Sequence, residues 1–255
     1  MGKLRIIGKN GYIGSTLTDL PDVKATILLA GHSSVAMCEN HPDEAWANNV
    51  DFFREVLKNI EPGEKFIYAS SASVYDGVEN PSEDCAEFNL KGMYDLTKRT
   101  IDDLARLSDV EFYGLRFATV NGWSPNLRTD VMMNKMYFDA METGVVKVQN
   151  GQLKRPILGI NDLKRAITAI LKSKKDRRGI YNLASFTESV EDMAKFVAEC
   201  AGAKVEIAPN DRPPYAFGIN TEKFEKNFKF KFEDDVWSVL RTLVRHDFER
   251  VGVRV

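Results

Sequence analysis

An open α/β fold, a doubly wound parallel sheet with a smaller C-terminal lobe, is the architecture this sequence predicts. Strand-like and helix-like stretches alternate through the first half, which favours parallel pairing with both sheet faces covered. A glycine-rich turn follows the first strand-like run, and the alternation loosens after Asn121. Element by element, Lys3 to Ile7 is short, apolar and β-branched and stops at Gly8, which predicts a buried strand. Tyr12 to Leu20 predicts a helix that ends before Pro21. Ala25 to Ala30 predicts a second strand, halted by Gly31. Residues Pro42 to Ile60 carry helical spacing, with Trp46, Val50, Phe53 and Leu57 on one face. Lys65 to Ala69 predicts a third strand, Lys91 to Ser108 a helix and Val110 to Phe117 a fourth strand.

Past Asn121, Gly122 to Pro125 predicts a loop and Asp130 to Thr143 a helix. Val145 to Val148 predicts a short strand, and Asn161 to Lys172 a helix with Asn161 and Asp162 as its cap. Ile180 to Leu183 predicts a return to the sheet, Glu188 to Ala201 a helix and Lys204 to Ala208 a strand. From Thr221 the chain is charged and helical. No repeat or flexible linker interrupts it, so one compact unit with two lobes is expected. The first lobe spans 1–120 and is rejoined by about 156–184. The second combines 121–155 with 185–255.

Composition narrows the function classes. With 44% hydrophobic and 28% charged residues over 255 positions, the chain can bury a sizeable core and is not disordered. A net charge of −2 supplies no basic field for nucleic acid. No apolar run reaches the length of a membrane span, and the opening residues are unlike a signal peptide. Cys38, Cys85 and Cys200 are odd in number and far apart, forming neither a metal spacing nor a disulfide framework. A cytoplasmic protein without nucleic-acid or membrane partners or a metal is expected.

Two constellations carry chemistry. Gly8-Lys9-Asn10-Gly11-Tyr12-Ile13-Gly14 lies between a strand and an expected helix, where glycines let the backbone approach a pyrophosphate and the helix N-terminus stabilises its charge. The alternative is a tight turn with no ligand. Tyr94 and Lys98 share one helix face, one turn apart, and an ammonium beside a phenol lowers its pKa toward the working range. Ser70-Ser71-Ala72-Ser73-Val74-Tyr75 directly follows a strand, which sets hydroxyls at the carboxyl edge of the sheet ahead of that helix. A serine there can hydrogen-bond a substrate oxygen while the tyrosine exchanges its proton.

With these pieces in this order, the chain resembles the extended short-chain dehydrogenase/reductases, the NAD-dependent sugar-nucleotide epimerases, dehydratases and reductases. The matching stretches are the glycine loop, Leu28-Leu29-Ala30-Gly31, Asn48-Asn49-Val50, Ala69 through Tyr75, Tyr94-x-x-x-Lys98 and Leu115 through Gly122. Arg155 with Gly159-Ile-Asn-Asp162, and Gly179 through Leu183, extend the likeness toward the C-terminus. The resemblance implies a Rossmann-like lobe, NAD or NADP as cofactor and a nucleotide-linked sugar as substrate. It implies that Ser71 binds the reacting oxygen with Ser73 beside it, that Tyr94 is the general acid/base, and that Lys98 lowers its pKa and holds the nicotinamide ribose. Asn49 would support the geometry. Gly8 to Gly14, Leu29, Ala30, Gly31, Phe117 and Val120 would line the cofactor site. Arg155 would reach a substrate diphosphate, or else be a surface arginine. The loop and His32-Ser-Ser-Val35 also look like the dTDP-4-dehydrorhamnose reductase branch. Ser71-Ala72-Ser73 lacks the Asp-Glu pair of 4,6-dehydratases, which leaves epimerisation or keto reduction. Members often dimerise through a four-helix bundle, and the stretches 42–60 and 91–108 would supply it here. Trp46, Phe52 and Phe53 would either serve that interface or pack on the sheet.

The pattern breaks early. Only Ser15 to Lys24, ten residues, separate Gly14 from the next strand, where the family fits two strands and a helix. The acidic residue that clamps the adenosine ribose is missing, its neighbourhood being Ile27-Leu28-Leu29. The fold is therefore expected to be shortened on the adenosine side. Lys9 either meets a 2′-phosphate or is simply solvated. The enzyme reading competes with a non-catalytic binding or regulatory protein that keeps the fold with a degraded cofactor site.

Overall fold

A computed structural model describes residues 2–208 and 218–250, with side chains described as far as Arg245. Residues 209–217 and 251–255, which belong to the expected second lobe, lie outside the described residues. In chain order, β1 (Leu4–Ile7) and β2 (Ala25–Leu28) lead to α1 (Val35–Asn40), α2 (Pro42–Trp46) and α3 (Phe52–Lys58). Next come β3 (Lys65–Ser71), α4 (Met93–Arg106), β4 (Glu111–Phe117) and the short β5 (Thr119–Asn121). Then follow α5 (Met132–Thr143), β6 (Val145–Gln149), β7 (Lys154–Gly159), α6 (Ile160–Lys172), β8 (Gly179–Leu183) and β9 (Phe186–Ser189). The chain closes with α7 (Val190–Ala201), β10 (Lys204–Ala208), α8 (Glu222–Phe228) and α9 (Val236–Arg250).

The main sheet is parallel throughout, in the order β1-β2-β3-β4-β8. Its strands alternate strictly between two cores, as the period of two requires. Ile27, Ile67, Tyr113, Leu115 and Tyr181 face α6, where Leu163, Ile167 and Ile170 pack, all fully or nearly fully buried. Leu28, Phe66, Tyr68 and Ile180 face the opposite side, against Phe53 and Val56 of α3 and Ile101 and Ala105 of α4. Each large apolar side chain so buried contributes about 1.5–3 kcal/mol. Phe53 lies in this core, whereas Trp46 and Phe52 stay on the surface. A separate core holds α5, α7 and α9 around β6, with Met133, Met193 and Leu243 fully buried. Among the described residues no helix is long and apolar enough to cross a membrane.

Three local expectations are corrected. The helix expected over Tyr12 to Leu20 is only a 3₁₀ turn at Gly14–Thr16. Ser15 and Thr16 spend their hydroxyls on the carbonyls of Tyr12 (3.3 Å) and Ile13 (2.7 Å), and Asp19 takes a left-handed φ of 58° before Pro21. Such side-chain bonds offer the backbone an alternative to the helical ladder. The single helix expected over Pro42 to Ile60 is instead α2, a π turn at Ala47–Asp51 and α3. That turn inserts a residue between Trp46 and Val50, so the two no longer share a face. Third, Asn161 and Asp162 do not cap α6. Its first turn is closed by Asp234, whose Oδ2 accepts the Asp162 N–H (2.9 Å), while the Asp162 carboxylate accepts Glu233 and Asp234 N–H groups in return. The sequence reading also misses α1, β5, β7 and β9.

The missing family segment has a clear topological result. Among the described residues β1 pairs with β2 alone, so the strand bearing the glycine loop is an edge strand.

Candidate active site

A cleft of about 560 Å³ opens at the carboxyl ends of β1 to β4, where parallel sheets place their ligands. Gly8, Gly11, Tyr12, Ile13 and Gly14 form one end of it. Gly8 has φ 92°, and a Cβ on Gly14 would lie 2.1 Å from the Gly8 carbonyl oxygen. Only glycine lets the turn fold this tightly. The loop is stapled from outside: Tyr12 donates to the Gly122 carbonyl (2.8 Å), and Asn126 Nδ2 donates to the Asn10 carbonyl (2.7 Å). Lys9 and Asn10, between Gly8 and Gly11 of the same turn, are exposed and do not line the cleft.

Leu29, Ala30 and Gly31 form the adjoining wall. Behind it stands Asn49, buried and carried by the π turn. Its Oδ1 accepts the His32 N–H (2.7 Å), and its Nδ2 donates to the His32 carbonyl (3.1 Å) and to Thr97 Oγ1 (3.0 Å). One side chain thus ties the end of β2 to α4. Gly31 must be glycine for this to hold, since a Cβ there would sit 2.7 Å from Asn49 Oδ1.

Ser71, Ser73, Tyr94 and Lys98 meet in the middle of the cleft, with Phe117 and Val120 beside them. Tyr94 and Ser71 both line the cleft, and Lys98 lies 5.8 Å from the Tyr94 ring centre. The pKa expectation is reversed. Burial pushes the Tyr94 phenol up; the neighbouring Ser71 hydroxyl pulls it back, Asp95 and Cys38 add to the rise, and Arg128 opposes it. Lys98 is not among the groups that shift it, and its ammonium donates to the Ala69 carbonyl (3.0 Å). Burial also lowers Lys98 itself to about 8, against a partial counter-pull from Asp102 and Cys38.

That depressed value has a measurable consequence. The unfolded chain keeps this proton up to about 10.5 and the folded chain releases it near 8. The penalty is therefore complete below pH 8 and fades as pH rises from 8 to 10.5. Lys98→Met is expected to unfold at higher denaturant than the wild type at pH 7, by up to about 3 kcal/mol. Urea unfolding at pH 7 and pH 10 checks this, the gap narrowing at the higher pH.

Arg155, on β7, also lines the cleft, as do Arg128, Ser33, Asn126 and Val131, which sequence reasoning missed. Arg128 holds Asp130 through two bonds (2.9 and 2.6 Å) and reaches Ser33 Oγ at 3.3 Å. It arrives from an irregular loop, and no local pattern announces it.

A nucleotide cofactor fits this surface at one end. The backbone of the glycine turn lines the cleft, and the buried Ser70 hydroxyl lacks a protein partner at its wall. The expected stabilisation of a phosphate by a helix N-terminus is reduced to what a single 3₁₀ turn offers.

The fold is that of an extended short-chain dehydrogenase/reductase. The chain belongs to the NAD dependent epimerase/dehydratase family, whose model matches residues 16–184. That match begins just past the glycine loop. A search of curated proteins gives no match. Among solved structures the chain is similar to RMD from Pseudomonas aeruginosa complexed with NADPH, at 17% identity and a TM-score of 0.83, covering 98% of this chain and 100% of that one. It is similar to UDP-glucuronic acid 4-epimerase from Bacillus cereus in complex with UDP-glucuronic acid and NAD, at 18% identity and a TM-score of 0.83, covering 98% and 99%. Epimerase Mth375 from Methanothermobacter thermautotrophicus matches at 16% identity and a TM-score of 0.79, covering 100% and 96%. At these identities the likeness is one of fold.

Proposed function

We propose that this protein is an NAD(P)-dependent enzyme acting on a nucleotide-linked sugar, as an epimerase or a keto-reductase. The observation that carries the reading is the convergence of the glycine turn, Ser71, Tyr94 and Lys98 in one cleft, with Arg128 and Arg155 on its wall. Bound NAD(P) supplies the hydride acceptor or donor. Ser71 holds the reacting oxygen of the sugar, and Tyr94 moves a proton at that oxygen. Lys98 meets the nicotinamide ribose, and the glycine turn takes the pyrophosphate. Phe117 and Val120 shield the nicotinamide end from water, and the arginines compensate the charge of a substrate diphosphate.

The adenosine end follows from β1 being an edge strand. Ile27-Leu28-Leu29 stands where an acidic residue would clamp the ribose hydroxyls, so no carboxylate there separates a 2′-hydroxyl from a 2′-phosphate. NAD and NADP are expected to bind with dissociation constants within about threefold of each other, under 1 kcal/mol apart. Calorimetric titration of both into the apo protein checks this; a tenfold preference would restore a 2′ recognition site.

The shortened cofactor side also favours a second reading, a binding or regulatory protein that kept the fold. The two separate on one experiment. The purified protein is denatured and the released small molecules assayed for NAD(H) and NADP(H), then both are titrated into the apo form with UDP-glucuronic acid or UDP-glucose present. Release or binding supports the enzyme. Neither, under all these conditions, supports the second reading.

A further inference from the structure

Tyr94 is the second residue of α4, in the turn whose backbone N–H groups lack helical partners. The helical ladder starts where Leu96 donates to the Gly92 carbonyl (3.0 Å). Gly92 is the N-cap and has no side chain to offer the earlier N–H groups. The cap comes from another helix instead. Glu39 of α1 accepts the Met93 N–H at Oε1 (2.7 Å), on the residue directly before the tyrosine.

Two features set this contact apart from an ordinary surface carboxylate. Glu39 lies in the last turn of α1, where unpaired carbonyl oxygens disfavour a negative charge. At the start of α4 the same charge is favoured, so its placement costs α1 and serves α4. The second feature is Gly92. A Cβ there would stand 2.1 Å from Glu39 Oε1 and 2.8 Å from its Cδ. The φ of Gly92 is −170°, extended backbone open to any residue, so the close approach of Glu39 is what calls for glycine.

α1 is itself held in place. It packs on α4 with Cys38 fully buried, and its first residue, Val35, lines the cleft. After the tyrosine, Ser73 Oγ donates to Asp95 Oδ1 (2.6 Å). Thr97 Oγ1 donates to the Tyr94 carbonyl (2.8 Å) and accepts Asn49 Nδ2 (3.0 Å). Tyr94 is thus bracketed, by Ser73 and Asn49 on one side and by Glu39 on the other.

We propose that Glu39 is a positioning residue: by capping α4 from α1 it fixes the first turn of that helix, and with it the place of the Tyr94 side chain in the cleft. The effect on turnover rests on the enzyme reading above; the effect on Tyr94 does not. Without the cap the Met93 N–H is left to water and the first turn opens more often. The phenol is then away from the reacting oxygen for part of the time. A misplacement of about 1 Å at a reacting group costs on the order of 100-fold in rate, and partial occupancy of a displaced state costs less.

The test reads Tyr94 directly, in the apo protein at neutral pH. Tyrosine ring-carbon NMR, with Tyr94→Phe identifying the signal, compares the wild type with Glu39→Ala, Gly92→Ala, the double variant and Glu39→Gln. Circular dichroism confirms that each is folded. Gly92→Ala displaces the carboxylate without removing it, because Glu39 Oε1 is the far end of a flexible side chain. Glu39→Ala and Gly92→Ala are each expected to shift or broaden the Tyr94 signal, while those of the buried Tyr68 and Tyr113 stay in place. The double variant should add little to either, since both changes break one bond. Glu39→Gln keeps an acceptor for Met93 and should restore the wild-type signal. Amide exchange at Met93 should quicken about fivefold in the alanine variants and recover in Glu39→Gln. With NAD and UDP-glucuronic acid or UDP-glucose, kcat should fall about tenfold in Glu39→Ala with KM unchanged.

An unchanged Tyr94 signal in either alanine variant would overturn the proposal, since both remove the same contact, and would leave Glu39 as a cap that acts on stability alone. A Glu39→Gln signal like that of Glu39→Ala would overturn the hydrogen bond as its cause. Failure of the wild type to bind either dinucleotide would sink the enzyme reading and leave the Tyr94 comparison standing.

Discussion

Asp102→Ala is expected to destabilise the fold by about 3–5 kcal/mol, the largest loss of stability anticipated for any single site here. Asp102 and Arg116 are both fully inaccessible and pair at 2.8 Å across α4 and β4. The other carboxylate oxygen accepts the Tyr68 hydroxyl at 3.1 Å. The guanidinium bonds Tyr75 Oη and lies over the Tyr75 and Phe88 rings, and Tyr75 donates to Asn182 on β8 at 3.2 Å. Truncating Asp102 strands a buried cation and a buried hydroxyl together, and neither can reach water. A double variant, Asp102→Leu with Arg116→Met, removes both charges and should lose much less than the two single changes added. Urea unfolding of the three variants decides: equal losses in the double and in the sum of the singles would mean the pair is not coupled. The cost also touches the site. Asp102 is one turn beyond Lys98 and holds that pKa up, so its loss should drop Lys98 further below 8.

The features legible in the sequence are those that depend on local period. Ile27, Ile67, Tyr113 and Tyr181 alternate with polar or opposite-face neighbours, and their strands fall within a residue or two of the expected limits. Tyr94 and Lys98 needed only a helix to share a face. What escaped depended on residues distant in the chain or on hydroxyls competing with the backbone. Thr16 bonds the carbonyl that would have continued a helix. The cap of α6 comes from Asp234, 72 residues beyond Asp162. β7 contains Pro156 and finds its neighbours in β5 and β9, both too short to register as strands by pattern. Asn49 was found by resemblance, yet its clamp on His32 requires a π turn that no spacing argument anticipates. Glu39 was missed because the N–H it caps, that of Met93, lies 54 residues further on in another helix.

Tyr94→Phe is expected to lower turnover by about 10²- to 10⁴-fold, the span that a positioned proton-transfer group supplies. The phenol contributes a proton that no neighbour can replace. Ser71 shares a hydrogen bond with Ser73, and the Lys98 ammonium is bonded to the Ala69 carbonyl. Because the change removes one hydroxyl in the cleft and keeps the ring, unfolding and dinucleotide affinity should move little. The kinetic signature is then a fall in kcat and kcat/KM together, with KM nearly unchanged, as expected for an interaction made in the transition state. The pH dependence has a sign too. With Tyr94 raised by burial and acting as donor, keto reduction should stay flat across neutral pH and fall only as the phenol ionises at alkaline pH. Lys98 near 8 would superimpose an earlier fall as its ammonium is lost from the ribose end. Lys98→Arg, which keeps its charge through that range, should remove the earlier fall and leave the later one. A reduction rate that instead rose with pH through the range 8 to 10 would mean that Tyr94 works from its phenolate and not as a proton donor.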